Sequence, residues 1–474
     1  MPARTLALSL TFALVLPSFA VFLGLPSVRA VAGEQAKEKA ETDQPEDKQL
    51  QDKEYYELFR LFADTFDQID RNYVKDVSRR QLVEAAVRGM LSELDPYSNY
   101  ISPEQLDRFK TGVEAEFGGV GIQVSVEDGH LKVISPLVGT PAYRAGMMAG
   151  DHIVEIAGET TKGITIDEAV RRMKGKVGTE VAIKVIHPNT TTPEAIKLKR
   201  EIIRVETVLG DNRNTDDSWN WMYDEEKKIG YIRLTAFARH TAEELRGALD
   251  KLIEQGVEGL VLDLRFNPGG LLSSAIEVSD MFVDDGRIVS TEGKNAIPKT
   301  WDAHKKGTFK DFPMAILINR YSASASEIVS GCLQDHDRAV VVGERTWGKG
   351  SVQNIVELEE GSSALKLTTA GYRRPSGKNI HRFKDSKEED EWGVSPNEGF
   401  AIKLSGPEMS LLHKHWRERD IVRKQETEEP DSTDDGQESD FVDTQLEKSL
   451  EYLYEQLGVA KQTDETAVAE KAAG

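Results

Sequence analysis

Apolar positions divide the chain into stretches with helical and with strand periodicity. In the first part they recur at spacings of three and four residues, at Leu58, Phe59, Phe62, Phe66 and Ile69 and again at Leu82, Val83, Ala86, Val87, Met90 and Leu91. This spacing predicts two amphipathic helices. Their apolar faces are expected to lie in a core or at a dimer seam. The LDPYSNYI stretch at residues 94–101 begins with turn-forming residues, which predicts a loop.

Residues 114–188 change to an alternating, strand-like pattern. Glycines at 118, 119 and 121 precede one alternating run, and Asp128-Gly129 marks a hairpin turn before a strand at residues 131–134. The helical TIDEAVRRMKG and the strand-like TEVAIKVIHP follow. This order resembles a PDZ domain, a family in which bare backbone N–H groups of a glycine loop bind a chain-terminal carboxylate. The loop at that place is Gly118, Gly119, Val120, Gly121 and Ile122. The alternative is a hairpin that needs glycine only for its turns.

Residues 219–404 alternate strand-like runs such as IGYIRLTAF and PMAILIN with helical runs such as TAEELRGALDKLIEQG. The alternation predicts an α/β layer. Two strand-to-helix turns, FNPGG at residues 266–270 and RYSASASE at residues 320–327, have small residues where helices begin. Unpaired N–H groups at a helix start carry partial positive charge and can form an oxyanion hole.

Composition and charge exclude several classes of function. The net charge of −21 argues against general nucleic-acid binding, which needs a basic surface. Residues 420–440 hold nine acids and two bases, as a solvated linker does, and VDTQLEKSLEYLYEQLG beyond it predicts a helix that docks on the body. The single cysteine, Cys332, permits no intramolecular disulfide and no cysteine-rich metal site. No metal ion and no cofactor are expected.

The N-terminal residues resemble a secretory signal. Arg4 precedes an apolar run at residues 6–25, and small residues follow at Ala30 and Ala32. Export is therefore expected, either to the periplasm or to the outer face of the cytoplasmic membrane. A cleaved signal and a retained anchor both stay open, since the run is long enough to span a bilayer although prolines interrupt it.

RYSASASE offers three candidate nucleophiles, Ser322, Ser324 and Ser326. His336 lies twelve residues beyond Ser324 on the helix that the serines open, about 18 Å along its axis, and so cannot serve as the base. Cys332 is on the same helix and is expected in the core. Lys349 can accept the proton if burial lowers its pKa by several units. Ser-Lys dyads are a known form of activated nucleophile.

Residues 343–350 nearly spell a phosphate-binding loop, G-x-x-x-x-G-K. Gly350 stands where that motif has the Ser or Thr hydroxyl that binds magnesium. The following SVQNIVELEE looks like a strand, whereas the motif requires a helix. A nucleotide site is therefore not expected.

The stretch SASASEIVSGCLQDHDRAVVVGERTWGKGSVQ resembles the signature of the carboxy-terminal processing proteases, also called tail-specific proteases. The likeness extends over roughly residues 55–400. It implies an α/β fold with a layered, crotonase-like or ClpP-like protease core, an inserted PDZ domain and N-terminal helices. This sequence departs from the family pattern at Arg373 and in the long polar insertion RFKDSKEEDEWG, residues 382–393. Both departures concern the substrate cleft.

The resemblance also implies roles for individual residues. It places the nucleophile on Ser324, the general base on Lys349 and the supporting amide on Gln353. The implied oxyanion hole consists of the backbone N–H of Ala325 and that of Gly269 or Gly270. Ser322 and Ser326 then become helix-entry residues, with Ser326 a candidate cap.

We therefore expect an exported serine endopeptidase that binds the free C-terminal end of protein or peptide substrates through a PDZ domain. The PDZ domain could tether substrate, inhibit, or act as an activating switch, and its place in the chain favours the switch. A homo-oligomer and an adaptor protein remain open as partners, and nucleic acid is not expected. The alternatives are a catalytically dead PDZ adaptor or scaffold and an acyl-CoA enzyme of similar layered fold.

The expected organisation comprises a signal peptide or anchor at 1–32, a polar tether at 33–54, an N-terminal helical region at 55–112, a PDZ domain at 113–205, a serine protease core at 206–404, and an acidic linker with a C-terminal helix at 405–474.

Overall fold

The computed structural model of the protein describes residues 45–106, 116–127, 129–422 and 441–458. The predicted signal, Asp128 of the predicted hairpin turn and most of the acidic linker lie outside these ranges. The chain divides into two units, Met1–Ala86 and Val87–Gly474. Within the described ranges, no helix is both long and apolar enough to cross a bilayer.

The N-terminal periodicity correctly predicts two helices, α1 (Pro45–Asn72) and α2 (Arg79–Ser92). Leu58, Phe59 and Phe62 on α1 are 59%, 60% and 48% exposed. They are thus exposed in the single chain, and the expected core or dimer seam stays a prediction.

The stretch predicted as a loop at residues 94–101 is a loop only in its first part. Its last three residues form strand β1 (Asn99–Ile101), in which Tyr100 and Ile101 are buried. Burial of these two side chains and pairing of β1 with a strand at residues 363–373 explain why the loop predicted from Asp95-Pro96 does not extend to residue 101.

The chain from residue 116 to residue 204 forms a small sheet domain. Its elements are β2 (Glu116–Gly119), β3 (Ile122–Glu127), β4 (His130–Pro136), α3 (Pro141–Arg144), β5 (His152–Ile156), β6 (Glu159–Thr160), α4 (Ile166–Met173), β7 (Glu180–Ile186), β8 (Glu194–Lys199) and β9 (Glu201–Arg204). The main sheet has the order β3-β4-β5-β7-β8, with β6 on β5, and β2 pairs with β9. Alternate residues such as Leu131, Val133 and Ile153 are buried in its core, as the alternating sequence predicts. β3 is an edge strand of this sheet.

The chain from residue 208 to residue 457 begins with short strands and continues as alternating strands and helices. Its elements are β10 (Val208–Leu209), β11 (Asn212–Arg213), β12 (Trp219–Asn220), β13 (Met222–Asp224), β14 (Ile229–Leu234), α5 (Thr241–Glu254), β15 (Gly259–Asp263), α6 (Leu272–Asp280), β16 (Arg287–Glu292), β17 (Lys299–Asp302), β18 (Met314–Ile318), α7 (Ala325–Asp335), β19 (Val340–Gly343), β20 (Ser351–Leu358), β21 (Ser363–Arg373), α8 (Gly406–Asp420) and α9 (Thr444–Leu457).

A mostly parallel sheet of order β10-β14-β15-β18-β19 forms the centre of this region, with β14, β15, β18 and β19 parallel and β13 added to β14. Its strands are buried on both faces, so they read as unbroken apolar runs. Leu262 and Ile316 face a core shared with α5, α6 and α7. The opposite face carries Val261 and packs against Leu453 of α9, which confirms that the terminal helix docks on the body.

A second, antiparallel sheet has the order β1-β21-β16-β17, with β20 paired to β21. Three loops follow the carboxyl ends of strands in the parallel sheet: those after β15 and β18, and the one that leads from β19 to β20 of the second sheet. Ligands of open α/β sheets bind at the carboxyl ends of such strands. The candidate residues Gly269, Ser324 and Lys349 lie on these three connections.

Candidate active site

The serine turn, residues 319–324, leads from β18 into α7. Ser324 is 7% exposed and has φ +57° and ψ −111°, in the left-handed half of conformational space that side chains other than glycine rarely adopt. Such backbone strain costs about 1–3 kcal/mol and persists where the surroundings enforce it. A strained serine between a strand and a helix is the arrangement that presents the hydroxyl in hydrolases with a nucleophile elbow.

The neighbouring serines are bound to the fold. Ser322 Oγ donates to the carbonyl of Leu264 at 2.8 Å, and Ser326 Oγ donates to the carbonyl of Asn267 at 2.9 Å. Ser326 is inside the first turn of α7 and Ser324 occupies the N-cap position, so the prediction of Ser326 as the cap is wrong. Both flanking hydroxyls therefore hold two turns together, and Ser324 alone of the three has the strained backbone.

The NPGG turn, residues 267–270, packs directly on the serine turn. A methyl group built on Gly269 (φ +96°) would lie 2.5 Å from the carbonyl oxygen of Ala323 and 2.8 Å from the amide nitrogen of Ala325. No side chain fits there, so glycine is required for the two backbones to meet. The structure thus brings together all three predicted sources of oxyanion donors.

The three donors differ in availability. The N–H of Gly269 donates to Asn267 Oδ1 at 2.9 Å. Within the described residues, the N–H groups of Gly270 and Ala325 have no protein acceptor. Gly270 and Ala325 therefore have N–H groups free to donate to a ligand, whereas the N–H of Gly269 is already bound to Asn267.

A buried carboxylate, Glu327, joins the serine turn to the lysine loop, residues 344–350. Glu327 Oε2 accepts from the backbone N–H of Ser324 at 2.7 Å and from that of Lys349 at 2.8 Å. Glu327 Oε1 accepts from the N–H of Gly348 at 2.7 Å and from Thr346 Oγ1 at 2.6 Å. The backbone N–H groups of Ser324 and Lys349 thus donate to the same carboxylate oxygen, which holds the two residues close together.

Burial raises the pKa of Glu327 to about 7, against the effect of these hydrogen bonds. The resemblance to the protease signature implied no role for this residue. The spacing Ser324-x-x-Glu327 does match the capping-box pattern, which indicates a helix start with a hydrogen bond between the two residues. The pattern predicts the bond to Ser324 but not the bonds to the lysine loop.

Lys349 is half-buried, and its environment lowers its pKa from the ordinary value of 10.5. Desolvation is the main cause, Lys366 adds to it, and Glu327 opposes it. The ammonium lies 5.3 Å from the ring centroid of Tyr97, a cation–π contact. In the described part of the chain, no hydrogen bond joins Lys349 Nζ to Ser324 or to Gln353. Lys349 therefore lies beside the serine turn, and its side chain is not hydrogen-bonded to Ser324 in this conformation.

Gln353, the predicted supporting amide, lies on β20. Its Nε2 donates to Ser351 Oγ at 2.8 Å and to Thr368 Oγ1 at 3.1 Å. These hydroxyls fix the amide on the second sheet, next to the lysine loop. The structure does not join it to Lys349 by a hydrogen bond.

A loop from the N-terminal side, residues 95–98, completes the surroundings of Lys349. Asp95 Oδ1 accepts from the N–H of Tyr97 at 2.7 Å and from that of Ser98 at 2.8 Å. Although burial alone would raise the pKa of Asp95, bonds from Ser98, Tyr97 and Thr368 hold it below its usual value. Tyr97 Oη in turn accepts from Trp347 Nε1 at 3.1 Å. The turn-forming residues of this stretch predict a loop but do not indicate that Tyr97 contacts the lysine.

Other candidate residues are elsewhere. Cys332 is buried, as predicted, and burial raises the pKa of its thiol to about 12. His336 contacts the carbonyl of Arg287 at the far end of α7. β20 follows the lysine loop, which confirms a strand where a phosphate-binding loop needs a helix. Across the described ranges, no three His, Cys, Asp or Glu side chains are grouped to hold a metal ion.

The predicted carboxylate-binding loop connects β2 to β3. Gly121 has φ +78°, and a methyl group there would lie 2.3 Å from Thr140 Cβ. Where the chain is described, the N–H groups of Val120 and Gly121 have no acceptor. Gly118 and Gly119 belong to β2, Ile122 begins β3, and the outer edge of β3 is unpaired. The loop thus has free donors next to a free strand edge.

Comparison with known proteins identifies the family. Three family profiles match: Peptidase family S41 at residues 228–397, a PDZ domain at 133–186, and the N-terminal domain of the activating protease CtpB at 18–105. A carboxy-terminal-processing protease of Bartonella bacilliformis is 41% identical over 69% of this chain and 73% of its own length. The carboxy-terminal processing protease CtpA of Bacillus subtilis is 36% identical over 67% of this chain and 65% of its own.

A solved structure of a photosystem II D1 C-terminal processing protease is 29% identical over 73% of this chain and 92% of that one, with a TM-score of 0.40. This chain belongs to the carboxy-terminal processing protease family: it is an S41 serine peptidase that carries a PDZ domain and acts on protein substrates. The predicted fold and enzyme class are thereby confirmed.

Replacing Glu327 by glutamine is expected to lower kcat by roughly 100-fold, because an amide NH₂ would face N–H donors that now meet a carboxylate. Both turns would separate although side-chain size is unchanged. Glu408→Gln is the matched control, since Glu408 forms an exposed capping box with Ser405 on α8. The measurement is kcat for peptide hydrolysis by both variants. An equally small decrease in kcat for the two variants would contradict the positioning role of Glu327.

Proposed function

We propose that the protein is an exported endopeptidase in which Ser324 attacks the scissile carbonyl and Lys349 acts as general base. The observation that carries the proposal is the single carboxylate, Glu327, which holds the strained serine turn and the lysine loop together. Lys349 takes the Ser324 proton, the acyl-enzyme forms, and the proton passes to the leaving amine. Water then releases the acyl group.

The oxyanion of each tetrahedral intermediate would be bound by the N–H groups of Gly270 and Ala325. Gly269 would contribute only if Asn267 moved. In this mechanism the Lys349 amine moves from the Tyr97 ring to the Ser324 hydroxyl. Contact with an aromatic ring favours the charged lysine, so departure from Tyr97 and loss of the proton go together.

We propose that the PDZ domain binds the substrate's C-terminal carboxylate at the N–H groups of Val120 and Gly121. The substrate chain would add as a strand along the unpaired edge of β3. Both the free donors and the free edge support this mode, and charge-assisted hydrogen bonds give it strength.

The contacts of α8 support a PDZ domain that acts as an activating switch. Beyond the C-terminal end of α8, the N–H of Val422 donates to Ser135 Oγ of the PDZ domain at 3.2 Å. In its middle, the Trp416 ring lies 5.7 Å from that of Phe266, which stacks on Tyr321 at 5.4 Å. Phe266 opens the NPGG turn and Tyr321 belongs to the serine turn. A movement of the PDZ domain would therefore reach both turns through one helix.

Amidating the C-terminus of a peptide substrate is expected to lower kcat/KM by roughly 10-fold or more, since a charge-assisted hydrogen-bonded group is lost. An activating switch predicts that kcat falls together with the affinity, whereas a tether predicts a change in KM alone. Paired free-acid and amidated peptides with one scissile sequence make the measurement. Equal kcat/KM for the pair would exclude C-terminal recognition.

Export is supported by the sequence of residues 1–32, with its basic start, apolar run and small residues. The proposed location is the periplasm or the outer face of the cytoplasmic membrane. Cell fractionation followed by N-terminal sequencing of the isolated protein distinguishes a cleaved signal, a retained anchor and a cytoplasmic protein.

A further inference from the structure

The polar insertion at residues 382–393, which departs from the family pattern, packs on the lysine loop. The N–H of Arg382 donates to the carbonyl of Gly348 at 2.8 Å. A methyl group on Gly348 would lie 2.7 Å from Arg382 Cβ and 3.0 Å from Trp392 Cε3. Trp392 is 6% exposed, and its Nε1 donates to the carbonyl of Lys387. The insertion is thus a packed wall beside the residue that precedes Lys349.

This wall closes one side of a cavity of about 720 Å³. The serine turn contributes Tyr321 to the lining, and the lysine loop contributes Trp347. Both aromatic side chains are exposed, and the N–H of Trp347 donates to the carbonyl of Ser322. The cavity therefore adjoins both loops that carry the proposed reacting groups.

Two arginines give the cavity its positive charge. The guanidinium carbons of Arg345 and Arg382 lie 4.4 and 4.3 Å from the ring centroid of Trp392. Stacking on an aromatic ring orients the planar guanidinium groups. Arg345 already donates from Nε to Ser395 Oγ at 2.9 Å and from Nη1 to the carbonyl of Glu388 at 2.8 Å, so among the described residues its Nη2 is the nitrogen that stays available for a carboxylate. A third arginine in the lining, Arg320, is already bound by Glu344 at 2.7 Å.

The acid that opposes these two arginines is held loosely. Glu388 lies 3.3 Å from Arg382 and 4.0 Å from Arg345, and its side chain is 78% exposed. Water screens such a pair, so it contributes little. Glu388 thus marks the position at which a carboxylate meets both arginines, and an incoming ligand can displace it. Lys403 in the lining adds another positive charge.

We propose that this cavity binds an aspartate or glutamate side chain of the substrate near the scissile bond, and so selects acidic cleavage sites. The proposal rests on Ser324 and Lys349 being the reacting pair, because only then does the cavity adjoin the scissile bond. It is separate from the PDZ loop: it recognises a side chain, whereas the loop recognises a chain end.

The test is a set of peptides that differ only by Glu or Gln at each position on either side of the cleaved bond. At one position, the wild type is expected to cleave the Glu peptide about fivefold better in kcat/KM, mainly through KM. Arg345→Gln and Arg382→Gln are expected to bring this ratio towards one. Glu388→Gln should increase it, because the competing carboxylate is removed. Lys384→Gln, in the same exposed insertion, is the control that keeps the wild-type ratio.

A wild-type ratio of one at every position would overturn the proposal, as would a preference that neither arginine variant reduces. Because each variant is read as a ratio of two peptides, a general loss of activity does not imitate the result. Failure of the proposed dyad would look different: Ser324→Ala would continue to cleave the Gln peptides.

Discussion

Ser324→Ala is expected to reduce peptide cleavage by about 10⁴- to 10⁶-fold, to the background of the uncatalysed reaction with bound substrate. The change removes the hydroxyl that forms the acyl-enzyme in the proposed mechanism, and substrate binding is expected to stay intact. Because alanine at φ +57° keeps the same strained backbone, the fold is expected to survive. Initial rates of peptide hydrolysis and binding of a free-acid peptide check the two parts.

Ser322→Ala and Ser326→Ala are the matched controls in the same turn. Each removes a buried hydrogen bond to a carbonyl, so the free energy of unfolding should fall by about 1–3 kcal/mol. Part of the activity is expected to remain, because neither hydroxyl takes part in the chemistry. Full activity in Ser324→Ala, or complete loss only in a flanking variant, would refute the assignment.

Lys349→Arg is expected to be as inactive as Lys349→Ala, with kcat lowered by roughly a thousandfold. A guanidinium keeps its proton at any relevant pH and cannot accept one from Ser324. Charge is retained in the arginine variant, so the comparison separates proton transfer from electrostatic positioning. Near-normal turnover in Lys349→Arg would mean that the residue only supplies charge.

The same base predicts the direction of the pH dependence. In the proposed mechanism neutral lysine is the working form, so the rate is expected to fall as pH falls through the Lys349 pKa. Burial lowers that pKa below 10.5, and the alkaline plateau should therefore begin at a lower pH than for a solvated lysine. In Lys349→Ala this limb should disappear from the residual activity.

The spacing of apolar residues predicts most of the helices and strands of the fold. The run Met314–Ile318 is apolar throughout because a central parallel strand is buried on both faces, and the α5 sequence repeats at helical spacing for the same reason of burial. Phe59 shows the limit of this reasoning. An amphipathic spacing predicts a helix with an apolar face but does not say what covers that face.

Ser324 and Lys349 belong to one sequence motif, and the structure places their backbones on two turns joined by Glu327. Their catalytic roles stay predictions. Glu327 escaped because its partners in the lysine loop are brought to it by β18 and β19 and lie some twenty residues away in the chain. For Gln353, the resemblance implied an amide that supports Lys349, whereas the structure shows this amide donating to Ser351 and Thr368. Lys349 lies in the loop before β20, and contact between its ammonium and Gln353 stays a prediction.

Labelling with a serine-reactive phosphonate, followed by mass spectrometry of the digested protein, tests the Ser324–Lys349 pair most directly. The predicted result is one adduct, on Ser324, formed at a rate that rises with pH along the Lys349 limb and is lost in Lys349→Ala. An adduct on Ser322, Ser326 or another residue, or undiminished labelling of Ser324 without Lys349, would contradict it.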